Sequence, residues 1–155
     1  MNKLLLLFLL CSFTVNAQKI DRKVYYDYSE NVEFRVYSLT KQRIINRGPD
    51  HNGVAIVAEK GRRFVTLALQ FKNNSSETQV IDFEEVFIRN QNGELHDIDF
   101  VVMGVKLTIS TERYKQKIKP NKKRIIYVQF RPSFDKDEEI KTLIMDGKTI
   151  TLKYK

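Results

Sequence analysis

Lys115, Lys117 and Lys119 recur at every second residue, and Lys122, Lys123 and Arg124 come after them across Pro120-Asn121. In an extended chain a spacing of two sets side chains on one face. The sequence therefore predicts a positive ridge of six cations, with Tyr114 beside it. Such a ridge offers an anion-binding edge. The same lysines on an edge strand would also keep a second sheet from pairing there, and both readings stand.

Other reactive side chains are sparse. His51 lies in a Gly/Pro/Asn loop and His96 on the arm after Asn92-Gly93. A zinc site needs three or four ligands, so two separated histidines read as surface residues. Asp97 and Asp99 share a face of an extended segment, about 7 Å apart by strand rise. Paired carboxylates of that kind serve retaining glycosidases, but on an alternating strand they read as a solvent face. Asp135-Lys136-Asp137-Glu138-Glu139 is an oxygen-rich run of the kind that ligates calcium, without the glycine and spacing of the helix-loop-helix site; it reads as a solvated acidic loop. No Gly-x-Ser-x-Gly elbow or glycine-rich phosphate loop occurs. The expectation is a non-enzymatic chain without catalytic residues, metal or cofactor.

The elements that must hold these residues alternate with a period of two. Val32, Phe34 and Val36 form one such set. Val65, Leu67, Leu69 and Phe71 form the clearest, opposite Phe64, Thr66, Ala68 and Gln70. Shorter strands are expected at 54–58, 80–83 and 84–89. Asn92-Gly93 turns the chain into a strand near 95–103, with Ile98, Phe100 and Val102 alternating, and Val105, Leu107 and Ile109 continue after Gly104. Ile126, Val128 and Phe130 share a face before a polar connection at 132–139. Asp146-Gly147 joins strands at 140–145 and 148–154, because both positions tolerate positive φ. Residues 18–31, rich in tyrosine, are either a mobile lead-in or a first edge strand. No stretch sustains a three-and-four apolar spacing. The prediction is an all-β sandwich of about seven to nine antiparallel strands in one domain, 18–155.

The start of the chain reads as a cleavable export signal, 1–17: Lys3, then an apolar run, then Val15-Asn16-Ala17 before a cut after Ala17. The run is shorter than the roughly 20 apolar residues of a membrane anchor. Cys11 comes after Phe8-Leu9-Leu10 rather than a small residue, which departs from lipoprotein processing, so it reads as one more apolar residue of the signal. Its removal takes away the chain's one cysteine, leaving no disulfide and no thiol nucleophile. A domain of about 138 residues buries enough surface to stand on its core alone. The net charge of +8 falls by one with Lys3 and favours anionic partners or simple solubility.

From Gly61 onward the pattern resembles secreted bacterial immunoglobulin-like domains of the telokin-like type, a family of unknown function. The residues that carry the resemblance are Gly61-Arg62-Arg63-Phe64-Val65 entering a strand that ends at Asn73-Asn74, then Val86-Phe87-Ile88, Asn92-Gly93, and Ile118-Lys119-Pro120-Asn121 before Ile126-x-Val128-x-Phe130. Asn121 stands where those domains often carry glycine, and asparagine also visits the left-handed region. The resemblance implies an immunoglobulin-like sandwich and an exported location, and no functional residues. The function expected is a non-catalytic binding module of the cell envelope or periplasm with a protein partner, reached through loops 46–53, 73–78 or 132–139 or an exposed edge. The alternative is an anionic glycan or lipid headgroup on the basic ridge; export disfavours nucleic acid.

Overall fold

Val65, Leu67, Leu69 and Phe71 are all fully buried, and the strand that carries them is central to the architecture. The computed structural model describes residues 19–46, 55–103 and 114–155. The 1–17 stretch read as an export signal, with Cys11, most of the 46–53 loop including His51, and the alternation of Val105, Leu107 and Ile109 lie outside the described residues. Among the described residues every regular element is a strand: β1 (Tyr26–Ser29), β2 (Val32–Gln42), β3 (Ile44–Asn46), β4 (Ala55–Val57), β5 (Arg62–Asn73), β6 (Gln79–Asp82), β7 (Val86–Arg89), β8 (Leu95–Met103), β9 (Lys115–Ile118), β10 (Lys123–Asp135), β11 (Thr142–Met145) and β12 (Lys148–Thr151).

Eight of them run in the order β1-β2-β5-β10-β8-β7-β11-β12, and each neighbouring pair is antiparallel. The sheet folds over at β8. Leu95 and His96 pair with β7, whereas Asp97 onward pairs with β10. One strand thus belongs to two layers, and the fold is a β-sandwich. The ribbon β6–β9 faces the same core from across β5: Phe83, next after β6, meets Phe71 edge-on with centroids 5.7 Å apart. Phe34 stacks on Phe71 at 5.4 Å and Tyr28 packs against it at 5.8 Å. On the other face of β5, the hairpin β3–β4 covers Phe64 with Ile45 and Ala58, a small second cluster.

Three of the irregularities in the ladders alter what simple alternation predicts. Between Val36 and Ser38 the register with β5 slips, leaving Tyr37 as an extra residue. In β8, Phe100 lies opposite Gln129 but Ile98 opposite Phe130, so Asp99 is a bulge. A bulge inserts one residue and reverses the parity beyond it. Val101 is therefore buried, while Phe100 and Val102 are only partly so, which corrects the simple alternation of Ile98, Phe100 and Val102. The third lies within 132–139. That stretch is not wholly a connection, since β10 continues through it to Asp135, with Pro132 in a gap of the ladder between Phe130 and Phe134. Proline has no N–H to donate, and a gap needs none.

The turns obey their chemistry. Asp146 and Gly147 both have positive φ, as a two-residue hairpin requires. At Asn92-Gly93 only Gly93 does. The hairpin is longer there, with Gly93 N donating to Asn90 O at 3.1 Å and Asn90 Oδ1 accepting from Asn92 N at 3.0 Å and Glu94 N at 2.8 Å.

Residues 19–31 are tied down. Ile20 bridges Tyr154, Asp21 N donates to Lys153 O at 2.8 Å, and Lys155 N donates to Lys19 O at 2.9 Å. Lys148 Nζ donates to Tyr28 O at 2.8 Å. These contacts bring the two end strands of the eight together. The Tyr154 hydroxyl, which donates to Ile140 O, is part of this latch. Burial, with Glu139 and Tyr26 nearby, pushes its pKa from 10.0 up to about 12. The folded protein thus keeps a proton that the unfolded chain loses first. The stabilisation is complete below pH 10 and falls as pH rises toward 12. Urea titrations across that range should show a declining midpoint, with a shallower decline in Tyr154→Phe. An equally steep decline in the variant would place the alkaline sensitivity elsewhere.

Candidate functional site

Asn73 closes β5 and is 1% exposed, which its place in an Asn-Asn-Ser-Ser turn signal does not suggest. Its Nδ2 donates to Glu77 O at 2.6 Å, Ile118 O at 3.0 Å and Lys119 O at 3.3 Å. Its Oδ1 accepts from Ser75 N at 2.9 Å and Ser75 Oγ at 2.8 Å. Its own N–H donates to Lys122 O at 3.0 Å, and Asn121 N donates to Ser75 O at 3.2 Å. One buried amide therefore joins the 74–78 loop to the corner between β9 and β10. The side-chain signal is present in the sequence; its burial depends on β9 arriving beside it.

The corner holds the predicted cations. Lys115 and Lys117 are exposed while Gln116 and Ile118 between them are buried. β9 pairs with β6, so Lys117 lies opposite exposed Val80 and Lys115 opposite Asp82, with Lys115 Nζ 3.5 Å from Asp82 Oδ2. Lys119 comes directly after the strand. Lys122 N donates back to Lys119 O at 3.2 Å, closing a turn in which Asn121 has φ of 53°. That is the left-handed position expected of it. Lys123 then opens β10 opposite Lys72, and Arg124 Nη1 donates to Lys123 O at 3.1 Å.

All six side chains are exposed. They do not form one straight ridge. The inward residues of β9 and of β10 point into the same core from different sheets. Their outward residues must therefore point apart. Lys115 and Lys117 occupy the face of the β6–β9 ribbon, Lys119 and Lys122 the turn, and Lys123 the outer face of the large sheet. Tyr114 is not on this surface; it packs against the core, and its hydroxyl donates to Ile98 O at 3.2 Å.

Besides Asp82, the field of the corner reaches Glu33. Lys72 Nζ sits 2.7 Å from Glu33 Oε1. This contact above all holds the Glu33 carboxyl below its ordinary range against the opposing effect of burial, with Asn74 and the charge of Lys123 adding lesser pulls in the same direction. Among the described residues, Lys117, Lys119, Lys122 and Lys123 make no ion pair through their ammonium groups.

The other sequence candidates have structural places. His96 is buried rather than on the surface. Its ring stacks on Phe134 with centroids 3.7 Å apart, and Nδ1 lies 2.9 Å from Pro132 O, at the point where β8 changes layers. Asp97 is exposed, but the Asp99 side chain is 6% exposed and lies 3.3 Å from Arg131 Nη1. The bulge separates their surroundings, so they are not a matched solvent-facing pair. In the acidic run, Asp135 pairs with Arg62 at 3.1 Å and Glu139 with Lys141 at 2.6 Å. The ammonium of Lys41 donates to Lys136 O and Glu138 O, and burial lowers its pKa against the pull of Glu138, Asp137 and Glu139. A lysine thus takes up carbonyl oxygens that an oxygen-seeking ion would use. Among the described residues no three His, Cys, Asp or Glu side chains converge.

Two solved structures are similar to this chain. One is an uncharacterized β-sandwich protein from Clostridium difficile 630, at 10% identity and a TM-score of 0.50, the match covering 84% of this chain and 89% of that one. The other is a conserved hypothetical protein from Bacillus anthracis, at 10% identity and a TM-score of 0.55, covering 88% of this chain and 96% of that one. At that identity the likeness is one of fold. It agrees with the two layers described above. No protein-family model matches the chain, and no curated protein does.

Proposed function

We propose that this chain is an exported, non-catalytic binding module of the bacterial cell envelope or periplasm, immunoglobulin-like of the telokin type, that holds a protein partner at the end formed by the 74–78 loop and the β9–β10 corner. The observation that carries the proposal is a set of four exposed ammonium groups, Lys119 and Lys122 on a turn that Asn73 fixes and Lys117 and Lys123 on the strands flanking it, without ion pairs among the described residues. A fixed turn loses little entropy on binding. Clustered like charges lower their mutual repulsion when an acidic surface arrives, and they raise the rate of encounter. Crosslinking in cells, with subsequent capture through a tag, should recover a saturable partner. Reversal of all four lysines to glutamate should reduce capture at least tenfold with an unchanged circular dichroism spectrum. Capture that survives the reversal would remove the corner from the interface.

A second reading is favoured by one feature, the wrapping of the cations onto two faces. That spread suits a diffuse polyanion such as an acidic glycan or a layer of lipid headgroups. It differs in its salt response, because exposed charges separated by more than about 8 Å are screened at physiological ionic strength. Polyanion binding would fall steeply with salt for every acidic polymer alike, whereas a docked protein would keep its selectivity.

A further inference from the structure

A second basic site lies on the outer face of β2, in the row next to Glu33, Lys72 and Lys123. Arg35 Nε donates to Gln70 Oε1 at 2.8 Å, and its Nη1 donates to Arg22 O at 3.0 Å. Its guanidinium lies over the Tyr25 ring at 5.1 Å and the Tyr37 ring at 5.8 Å from the centroids. Arg22 lies over the same Tyr37 ring at 4.8 Å. Tyr37 stands there because it is two residues on from Arg35 along the strand, at the point where the register with β5 slips.

Two guanidinium groups are thus gathered around one ring. Neither forms an ion pair among the described residues, and Arg35 Nη2 makes no hydrogen bond there. The nearest acid along the strand, Glu33, is taken by Lys72. Two like charges held close together repel each other, and their aromatic contacts offset that only in part. Arg35 is also already ordered on several sides, so an incoming group meets a fixed planar fork rather than a mobile chain. With Nε spent on Gln70 and one Nη1 hydrogen on Arg22 O, the terminal Nη1–Nη2 edge is what remains to meet a carboxylate in two parallel hydrogen bonds. Tyr25 and Arg22 are exposed and Arg35 and Tyr37 half-buried, and tyrosine and arginine are residue types enriched at protein interfaces.

The geometry points to a carboxylate-binding site made by Arg35, Arg22, Tyr25 and Tyr37, whose occupant is an acidic peptide segment of a partner protein. It shares the outer face of the large sheet with Lys123, one cross-strand row away, but uses none of the corner's six cations.

The test uses the purified protein and a fluorescently labelled glutamate-rich decapeptide, with anisotropy as the readout. Inorganic phosphate and phosphatidylglycerol vesicles serve as competitors. Arg35→Lys, which keeps the charge but loses the fork, should weaken peptide binding at least tenfold. Arg22→Gln should weaken it severalfold, and Lys117→Gln with Lys119→Gln less than twofold. Should Arg35→Lys unfold the protein, Tyr37→Leu removes the stacking platform instead and should give a comparable loss, with thermal melting as the check on folding. Peptide affinity unchanged in Arg35→Lys, or lost equally in the corner variant, would overturn the assignment. So would displacement of the peptide by phosphate or vesicles at concentrations where unlabelled peptide does not compete, because the occupant would then be a different oxyanion.

Discussion

Asn73→Ala is expected to lower the stability of the protein by about 3 kcal/mol, roughly the sum of several modest hydrogen bonds and the desolvation of the groups they leave behind. The side chain is buried, and the carbonyls of Glu77, Ile118 and Lys119 all converge on its Nδ2. Removing the amide leaves those oxygens without that donor and releases Ser75 from Oδ1. Asn73→Asp sharpens the test because it has the same shape. A carboxylate there has no N–H to give and would face oxygen atoms, so it should be at least as destabilising at neutral pH. Burial against carbonyls raises such an acid's pKa, and its protonated form can donate once, so part of the loss should return as pH falls. Urea melts at two pH values would read both effects. A loss below about 1 kcal/mol for Asn73→Ala would mean that this amide contributes little beyond a single ordinary hydrogen bond. The same variant should weaken partner capture by the lysine corner, since the turn would no longer be fixed relative to the 74–78 loop.

Phe71→Ala should cost more, about 3–5 kcal/mol, as is usual for an aromatic core deletion. Phe71 is fully buried and touches Phe34 and Tyr28 on its own side and Phe83 from the β6–β9 side. It joins the layers by packing alone, since a chain with one cysteine has no internal disulfide to share that task. Total stabilities are typically about 5–15 kcal/mol, so the variant should be marginal or largely unfolded at about 37 °C. Phe71→Leu keeps most of the volume and should lose about 1.5 kcal/mol. Near-ultraviolet circular dichroism and urea melting of the pair would separate lost packing from lost fold. Equal losses in the two variants would argue that shape, rather than burial, sets the value of this position.

Strand existence is legible in single residues. Val65, Leu67, Leu69 and Phe71 fall on the core side as their spacing requires, and Ile126, Val128 and Phe130 do the same. Asp146-Gly147 makes its two-residue turn because both residues accept positive φ. The Pro120-Asn121 corner has the left-handed asparagine that its chemistry allows. All of these rest on interactions between near neighbours in the chain, and those are written in the sequence directly.

The features that no local pattern could show depend on partners distant in sequence. The extra residues at Tyr37 and Asp99 exist only relative to the strands they pair with, and each one reverses the facing of its successors along the strand. His96 reads as a solvent-arm residue and is instead a stacked core ring, because β8 leaves one layer for the other beside Phe134. Spacing alone finds the lysines, but their division around a corner comes from β9 and β10 belonging to different sheets. Period-two alternation reports the two sides of a strand. It carries no information about which sheet that strand joins, and the sheet decides which charges end up together.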